Sequence, residues 1–129
     1  MKKYKNVFYF RHLNDIGGTE QFLYYLSCLY KDFVVFYSDP NSSLAQIDIL
    51  GDNIPVHKYN GGIFECERFF ANYNADILDN VEAEAYIQVI HLNYKLQNKV
   101  PNIHKKITKF IGVSKSVCRA FTELTGREC

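Results

Sequence analysis

The chain has 129 residues, of which 47% are apolar, and this length and composition suit one packed domain. A formal net charge of +1 argues against a general nucleic-acid binder, and no run of about 18 apolar residues is present that could span a membrane. The charge is nevertheless uneven, since residues 1–84 carry 7 basic and 12 acidic side chains, whereas residues 85–122 carry seven basic and no acidic ones. The basic stretch, residues 95–119, fits an anionic membrane surface, a phosphate-bearing acceptor or an ordinary solvated face.

The cysteine pattern and the N-terminus bear on the cellular compartment. The cysteines are Cys28, Cys66, Cys118 and Cys129. Their spacing contains no C-x-x-C, which predicts neither a zinc site nor a redox motif, and reduced thiols in a cytoplasm are expected. The apolar run after the N-terminal lysines is interrupted at Arg11, before it reaches the length of a signal peptide. We therefore expect a cytoplasmic protein, with Cys118 buried on a helix rather than used as a nucleophile.

The first part of the chain has the pattern of a β-α-β unit. Residues 6–10 and 32–38 are apolar runs of strand length, and residues 19–30 between them have apolar side chains at helical spacing. These side chains are Phe22, Leu23, Leu26, Leu29 and Tyr30. Such a crossover implies parallel strands. Residues 41–51 predict a second helix that ends at a glycine.

A second pair of glycines follows Asn60. Residues 54–59 and 63–66 alternate apolar and polar side chains on either side of Asn60 and Gly61. Asn-Gly between two such segments is a strong hairpin signal. The sequence therefore predicts a β-hairpin here.

The middle of the chain allows two interpretations. Residues 75–80 could form a strand, but they would leave too few residues to cross over to a parallel strand at 86–92. We therefore predict a strand at 68–73, a helix at 75–85 and the next strand at 86–92.

The last part of the chain predicts a surface connection, a strand and a helix. Residues 93–106 contain a proline with several amides and lysines, which favours irregular structure, and residues 107–114 are of strand type. The helix is expected to begin after Ser114 as N-cap and to end at Gly126 as C-cap. Its predicted inward residues are Val117, Phe121 and Leu124.

Strands alternating with helices predict an α/β fold, a Rossmann-like doubly wound, mostly parallel sheet with helices on both faces. Ligands of such sheets bind beyond the carboxyl ends of the strands. The residues that follow the strands are therefore the candidates for function: residues 12–20, 72–74 and 91–94, and Ser114 after the last strand.

The segment after the first strand contains Gly17 and Gly18. Glycines at a strand-to-helix turn allow the backbone to approach a ligand, and the next helix offers N–H groups to an anion such as phosphate. Asn14, Asp15 and Thr19 have side chains suited to sugar hydroxyls or to helix capping. The dinucleotide and P-loop glycine fingerprints are both absent, so the local sequence by itself favours the alternative, a tight turn followed by a helix cap.

His91 ends the predicted central strand, where an imidazole can donate or accept a hydrogen bond in the crevice. The alternative is a histidine of the core or rim that bonds a backbone carbonyl. His12, Asp15 and His91 have no short ligand spacing, so no metal is predicted. Aromatic residues are not interleaved with the lysines as in a stacking platform, which argues against single-stranded nucleic acid as a partner.

Three segments together resemble the N-terminal domain of GT-B glycosyltransferases, specifically family 4 of the retaining enzymes. They are "GGTEQFLYYLSCLY", "YIQVIHLNY" and "KFIGVSKSVCRAFTELTG", in this order along almost the whole chain. By this resemblance Gly17, Gly18 and Glu20 match the family's G-G-x-E-like turn near the donor phosphates and the acceptor. His91 matches a histidine that contacts the transferred sugar, and it is the expected catalytic residue.

The resemblance implies transfer of a sugar from a nucleotide-diphosphate donor to a glycan or lipid-linked acceptor, with retention and without a metal or other cofactor. The setting would be cell-surface polysaccharide synthesis in the cytoplasm, with the basic stretch in peripheral contact with the inner face of the membrane. Residues 1–129 would be one incomplete acceptor-side domain, inactive without the donor-binding domain and its spaced glutamate pair. The alternatives are one subunit of a split glycosyltransferase and a non-catalytic module that binds a sugar or a phosphate.

Overall fold

The computed structural model describes residues 1–11, 25–26, 28–38, 54–72, 77–99 and 103–129. The strands are β1 (Lys2–Phe10), β2 (Phe33–Tyr37), β3 (Val56–Lys58), β4 (Phe64–Asn72), β5 (Val81–Ile90) and β6 (Lys109–Gly112). A helix, α1 (Lys115–Thr125), follows β6, and a 3-10 turn (Leu78–Asn80) precedes β5. The strands form one sheet in the order β3-β2-β1-β4-β5-β6, and every neighbouring pair is parallel. The predicted parallel α/β sheet is confirmed, in the strand order of the Rossmann type.

Helix α1 begins and ends where the sequence predicts. The Ser114 hydroxyl accepts a hydrogen bond from the backbone N–H of Val117, and Gly126 has the left-handed conformation, with φ of 71°. Val117 and Phe121 are buried, as expected. Leu124, however, is 45% exposed, because the buried stripe of the helix is completed by Ala120 instead.

Helical residues lie on both faces of the sheet. Phe121 of α1 packs against Phe110 in one core cluster, with 4.7 Å between the ring centroids. Leu26, one of the helical residues before β2, packs in the other cluster with Phe8 and Phe70. Leu29, another of the apolar residues at helical spacing, is 78% exposed. Phe22, Leu23 and the helix predicted at 41–51 lie outside the described residues.

The predicted hairpin at Asn60 and Gly61 is wrong. β3 pairs with β2 and β4 pairs with β1, both in parallel, so two strands separate the supposed hairpin partners. Asn60 and Gly61 form a local turn instead, in which the Asn60 Oδ1 accepts from the Gly62 N–H at 3.0 Å. The apolar residues of β4 explain the outcome: the central position beside β1 buries them, whereas a hairpin would leave β4 on the outside of the edge strand.

The helix predicted at 75–85 is also wrong. β5 already begins at Val81, and among the described residues of this segment only the 3-10 turn at Leu78–Asn80 is helical. The alternation of glutamates with small apolar residues from Val81 to Ala85 has the period of a strand and was the signal that the helical interpretation passed over. The strand predicted at 86–92 is confirmed as the second half of β5. Residues 93–99 and 103–106 hold only turns and irregular structure, as expected.

The neighbouring strands β1, β4 and β5, here called the central strands, are each bent. In β4, Phe64 and Cys66 precede Glu67, and Phe69 follows it. Phe64, Cys66 and Phe69 nevertheless pack in the same core cluster. In an uninterrupted strand, Phe69 would lie on the face opposite to Phe64 and Cys66. The corresponding change occurs in β1 near Lys5 and in β5 near Glu84. The amino-terminal ends of all three strands therefore curl over one face of the sheet.

Tyr86 holds the bend of β5. Its hydroxyl accepts from the Ala83 N–H at 2.9 Å and donates to the Val81 carbonyl at 3.0 Å. A straight strand would place Val81 about 16 Å from Tyr86, beyond the reach of the ring. The curl brings Tyr4 within 5.4 Å of Phe36, between ring centroids.

The structure pairs Cys118 with Cys129 as a disulfide, with their Cα atoms 5.2 Å apart. The disulfide corrects the expectation of reduced thiols, which rested on the absence of a recognisable cysteine spacing. The residues after Gly126 turn back beside the helix and bring Cys129 to Cys118. Gly112 lies against Cys118, where a Cβ atom would collide with the sulfur. Cys66 is a buried free thiol, and burial raises its pKa to about 12.

Candidate functional site

The strand order places the candidate site at the carboxyl ends of β1, β4 and β5. Within the sheet, β2 lies beside β1 in one direction and β4 lies beside it in the other. The strand order therefore reverses between β1 and β4. Parallel sheets of this kind open a ligand crevice there. Asn72 is the last residue of β4, and His91 directly follows β5.

A hydrogen bond joins the His91 Nε2 to the Asn72 Oδ1. Asn72 is buried, with 5% of its surface exposed, so this contact also satisfies a polar group that is shielded from water. Because an amide oxygen can only accept, a hydrogen bond between these two atoms uses the tautomer with the proton on Nε2. The contact with Asn72 thus orients the imidazole.

Burial lowers the pKa of His91 to about 4. The imidazole is therefore neutral at neutral pH. It can donate through one nitrogen and accept through the other, but a group with this pKa is a weak proton acceptor near pH 7. Its chemistry suits positioning a hydroxyl by a hydrogen bond better than removing a proton from it.

Two further polar contacts lie along the same edge of the sheet. The Tyr9 hydroxyl, near the end of β1, lies 2.6 Å from the hydroxyl of Ser38, which directly follows β2. The Gln88 Nε2 of β5 donates to the Ala71 carbonyl of β4 at 3.2 Å. Asn72 is among the residues that the sequence places after a strand, whereas sequence reasoning did not select Tyr9, Ser38 or Gln88, although a glutamine within the apolar run of β5 was a visible signal.

The other predicted site residues cannot be placed relative to His91. Asn14, Asp15, Gly17, Gly18, Thr19 and Glu20 lie outside the described residues, as does His12. Of the predicted site, the structure therefore describes His91 alone. Within the part of the chain that the structure describes, no three His, Cys, Asp or Glu side chains come together as a metal site.

The basic stretch is partly engaged in contacts within the chain. Lys95 forms an ion pair with Glu123, whose pKa is lowered chiefly by the hydrogen bond from Lys95. The Lys106 Nζ donates to the carbonyl oxygens of Leu78 at 3.0 Å and Val81 at 3.2 Å. In the described ranges, no helix has the length and apolarity needed to cross a membrane. Contact of the remaining lysines with a membrane surface stays a prediction.

Comparison of the chain with protein-family models, with curated proteins and with solved structures finds no match. A functional proposal therefore depends on the strand order, on the His91 site and on the resemblance of the sequence segments.

Proposed function

We propose that this chain forms the N-terminal, acceptor-side domain of a retaining GT-B glycosyltransferase similar to family 4. The enzyme transfers a sugar from a nucleotide-diphosphate donor to a glycan or lipid-linked acceptor. The observation that carries the proposal is the neutral imidazole of His91, held by Asn72 at the carboxyl edge of β4 and β5. The strand order of the sheet supports it, because such sheets bind ligands at this edge.

The state of His91 suits this chemistry. Retaining transfer develops positive charge on the sugar ring, and an imidazolium a few ångströms away would oppose that charge. A neutral imidazole can orient a sugar hydroxyl by a hydrogen bond without this repulsion, while Asn72 keeps the ring from turning. His91 then contributes by positioning the sugar against the reacting atoms.

The departing diphosphate needs hydrogen-bond donors, which backbone N–H groups at a helix start can supply. Gly17, Gly18 and Glu20 are proposed for this role on the resemblance, with Asn14, Asp15 and Thr19 near the sugar hydroxyls. Cell-surface polysaccharide synthesis in the cytoplasm, at the inner face of the membrane, is the proposed setting.

A second candidate is a non-catalytic module that binds a sugar or a phosphate. The low pKa of His91 favours this reading to the same extent, because hydrogen bonding is the principal chemistry left to the ring. A subunit of a split glycosyltransferase would use the same contacts and add a donor-binding partner.

A transfer assay separates these candidates. The protein is incubated with radiolabelled UDP- and GDP-sugars and a panel of oligosaccharide and polyprenyl-phosphate acceptors, with and without a polypeptide that carries a donor-binding glycosyltransferase domain. The acceptor-side domain alone is expected to give no product. Labelled product that forms with the second polypeptide, and that is lost on His91→Ala but kept on His57→Ala, supports the enzyme assignment, including its split form. Saturable sugar binding at His91 without transfer under any condition favours the binding module and overturns the enzyme assignment.

A further inference from the structure

A cavity of about 660 Å³ lies between the edge strand β3 and the curled amino-terminal ends of β1 and β4. Its volume is in the range of small-molecule binding sites, whose volumes are roughly 300 to 1,000 Å³. The cavity exists because the central strands bend, which brings Tyr4 and Phe64 against Phe36, with Phe64 also close to Tyr59. It shares no residue with the His91 site.

The floor of the cavity is aromatic. Phe36 and Phe64 are buried beneath it, and the rings of Tyr4 and Tyr59 stand nearly perpendicular to that of Phe64, at interplanar angles of 84° and 73°. Edge-to-face packing of this kind stabilises the rings in a fixed arrangement. A planar apolar ring would find a preformed surface here.

The wall nearest β3 is held by hydrogen bonds. The Tyr59 hydroxyl donates to the Gly62 carbonyl at 2.6 Å and accepts from the Asn80 Nδ2 at 3.1 Å. The Gly62 N–H is bound in turn by the Asn60 side chain, and Gly61 has a φ of 88° that suits glycine. The second glycine pair of the sequence thus shapes one side of this cavity.

The rim of the cavity is basic. Lys2, Lys3 and Lys58 line it together with His57, and none of the described lining residues is acidic. Lys3 is partly neutralised, since its Nζ lies 3.6 Å from the Glu65 carboxylate, but Lys2 and Lys58 add two further positive charges. Several ammonium groups beside an aromatic floor match a ligand that combines a ring with a doubly charged phosphate.

We infer that this cavity is a second binding site of the protein, for a small aromatic phosphate of the size of a nucleoside monophosphate. The ring lies on the floor formed by Tyr4, Phe36, Tyr59 and Phe64, and the phosphate is bound by Lys2 and Lys58. The inference depends on this cavity alone and not on the glycosyltransferase proposal.

The test is a titration of the ¹⁵N-labelled full chain followed by NMR. The probes are AMP and UMP, with adenosine, uridine and inorganic phosphate as partial ligands. We expect the nucleotides to shift the amide signals of Tyr4, Tyr59 and Gly62 in a saturable way, and each partial ligand to bind at least about fivefold more weakly. Equal affinity for adenosine and AMP, or no shift at these amides, would overturn the inference.

Two lysine variants test the charge. Lys58 and Lys109 are both exposed and lie in the two edge strands of the sheet, so Lys58→Gln and Lys109→Gln form a matched pair. Lys58→Gln should weaken AMP binding about twofold to fivefold, as expected for an exposed ion pair, while Lys109→Gln leaves it unchanged. An equal loss in both variants would contradict a localised site. His91→Ala should leave AMP binding intact, so the outcome is independent of the transfer assay.

Discussion

The carboxyl-terminal and amino-terminal halves of the central strands have unlike environments. The last five residues of β1 and the last four of β4 and of β5 are buried without interruption. The first half of β1 is largely exposed, and the first halves of β4 and β5 alternate between more and less buried positions. Their charged residues, among them Lys3, Glu65 and Glu82, occupy exposed or half-buried positions. The carboxyl-terminal halves are buried because other elements cover both faces of the sheet there, and the amino-terminal halves are more exposed because the sheet is covered on one face.

This difference separates two kinds of surface on one sheet. At the carboxyl edge, polar side chains such as Asn72 are buried and paired, which gives a rigid frame around a neutral His91. Along the amino-terminal halves, charges face solvent, and the bend at Glu67 creates a basic and aromatic cavity instead. The first environment suits precise positioning of a sugar, and the second suits attraction of an anion.

The largest expected effect is on activity at the carboxyl edge. His91→Ala should lower sugar turnover on the order of a hundredfold, because a reacting group that loses its orientation loses about that much rate. Steady-state kinetics, with the donor and acceptor identified in the transfer assay, will measure this loss of turnover. His57→Ala, which removes an exposed histidine of β3, is the control and should keep turnover within about twofold. Comparable turnover in His91→Ala and the parent would contradict the role of His91.

Acid should destabilise the same edge. The pKa of His91 is about 4 in the folded chain against 6.5 for the free side chain, so the unfolded state binds the additional proton. The contribution to stability is therefore complete above pH 6.5 and is lost as the pH falls toward 4, by about 2–3 kcal/mol. Urea unfolding between these pH values will measure the slope. His91→Gln should flatten it and His57→Gln should not, and an unchanged slope in His91→Gln would assign it to other groups.

The bend of the amino-terminal halves should depend on Tyr86. Tyr86→Phe removes the hydroxyl that bonds the backbone at Val81 and Ala83, and we expect a loss of about 1–2 kcal/mol in the free energy of unfolding. Tyr37→Phe is the control, since the described residues offer no hydrogen-bond partner to its hydroxyl. Equal stability of Tyr86→Phe and the parent would show that packing alone maintains the bend.

The smallest expected effect concerns repulsion on the amino-terminal halves. Glu65 and Glu82 are direct partners across β4 and β5, and like charges in such positions destabilise a sheet. Glu82→Gln should therefore raise stability by roughly 0.2–1 kcal/mol at low salt, with the gain disappearing near 1 M salt. Thermal unfolding at the two salt concentrations checks this, with Glu128→Gln as control. A gain that persists at high salt would point to a cause other than charge.

Sequence patterns predicted the fold where each element depended on local signals. β2 is a continuous apolar run, β1 ends in one, and β6 contains a short one, while α1 has a capping serine and a terminal glycine, so each could be recognised by itself. The errors fall between residues 54 and 85, where Asn60 and Gly61 favour a hairpin locally but burial of β4 beside β1 favours another pairing. Strand partners depend on the whole sheet, which no short window of sequence contains.

The candidate site was predictable to a smaller extent. His91 could be selected because it ends an apolar strand, but its partner Asn72 lies 19 residues away and meets it only through the pairing of β4 and β5. The disulfide between Cys118 and Cys129 is of the same kind, since the turn after Gly126 brings the two residues together. Contacts of this type follow from tertiary packing and have no signature in spacing.

The most direct test of the central claim is the protonation state of the His91 ring, read from the two imidazole ¹⁵N shifts of the full chain at neutral pH. We expect a neutral ring with the proton on Nε2, and the same ring should change to the Nδ1-protonated form or become mixed in Asn72→Ala. This result would establish the fixed, uncharged imidazole on which the proposed sugar contact depends. A charged ring at neutral pH, or a tautomer that does not respond to Asn72→Ala, would contradict the account of this site.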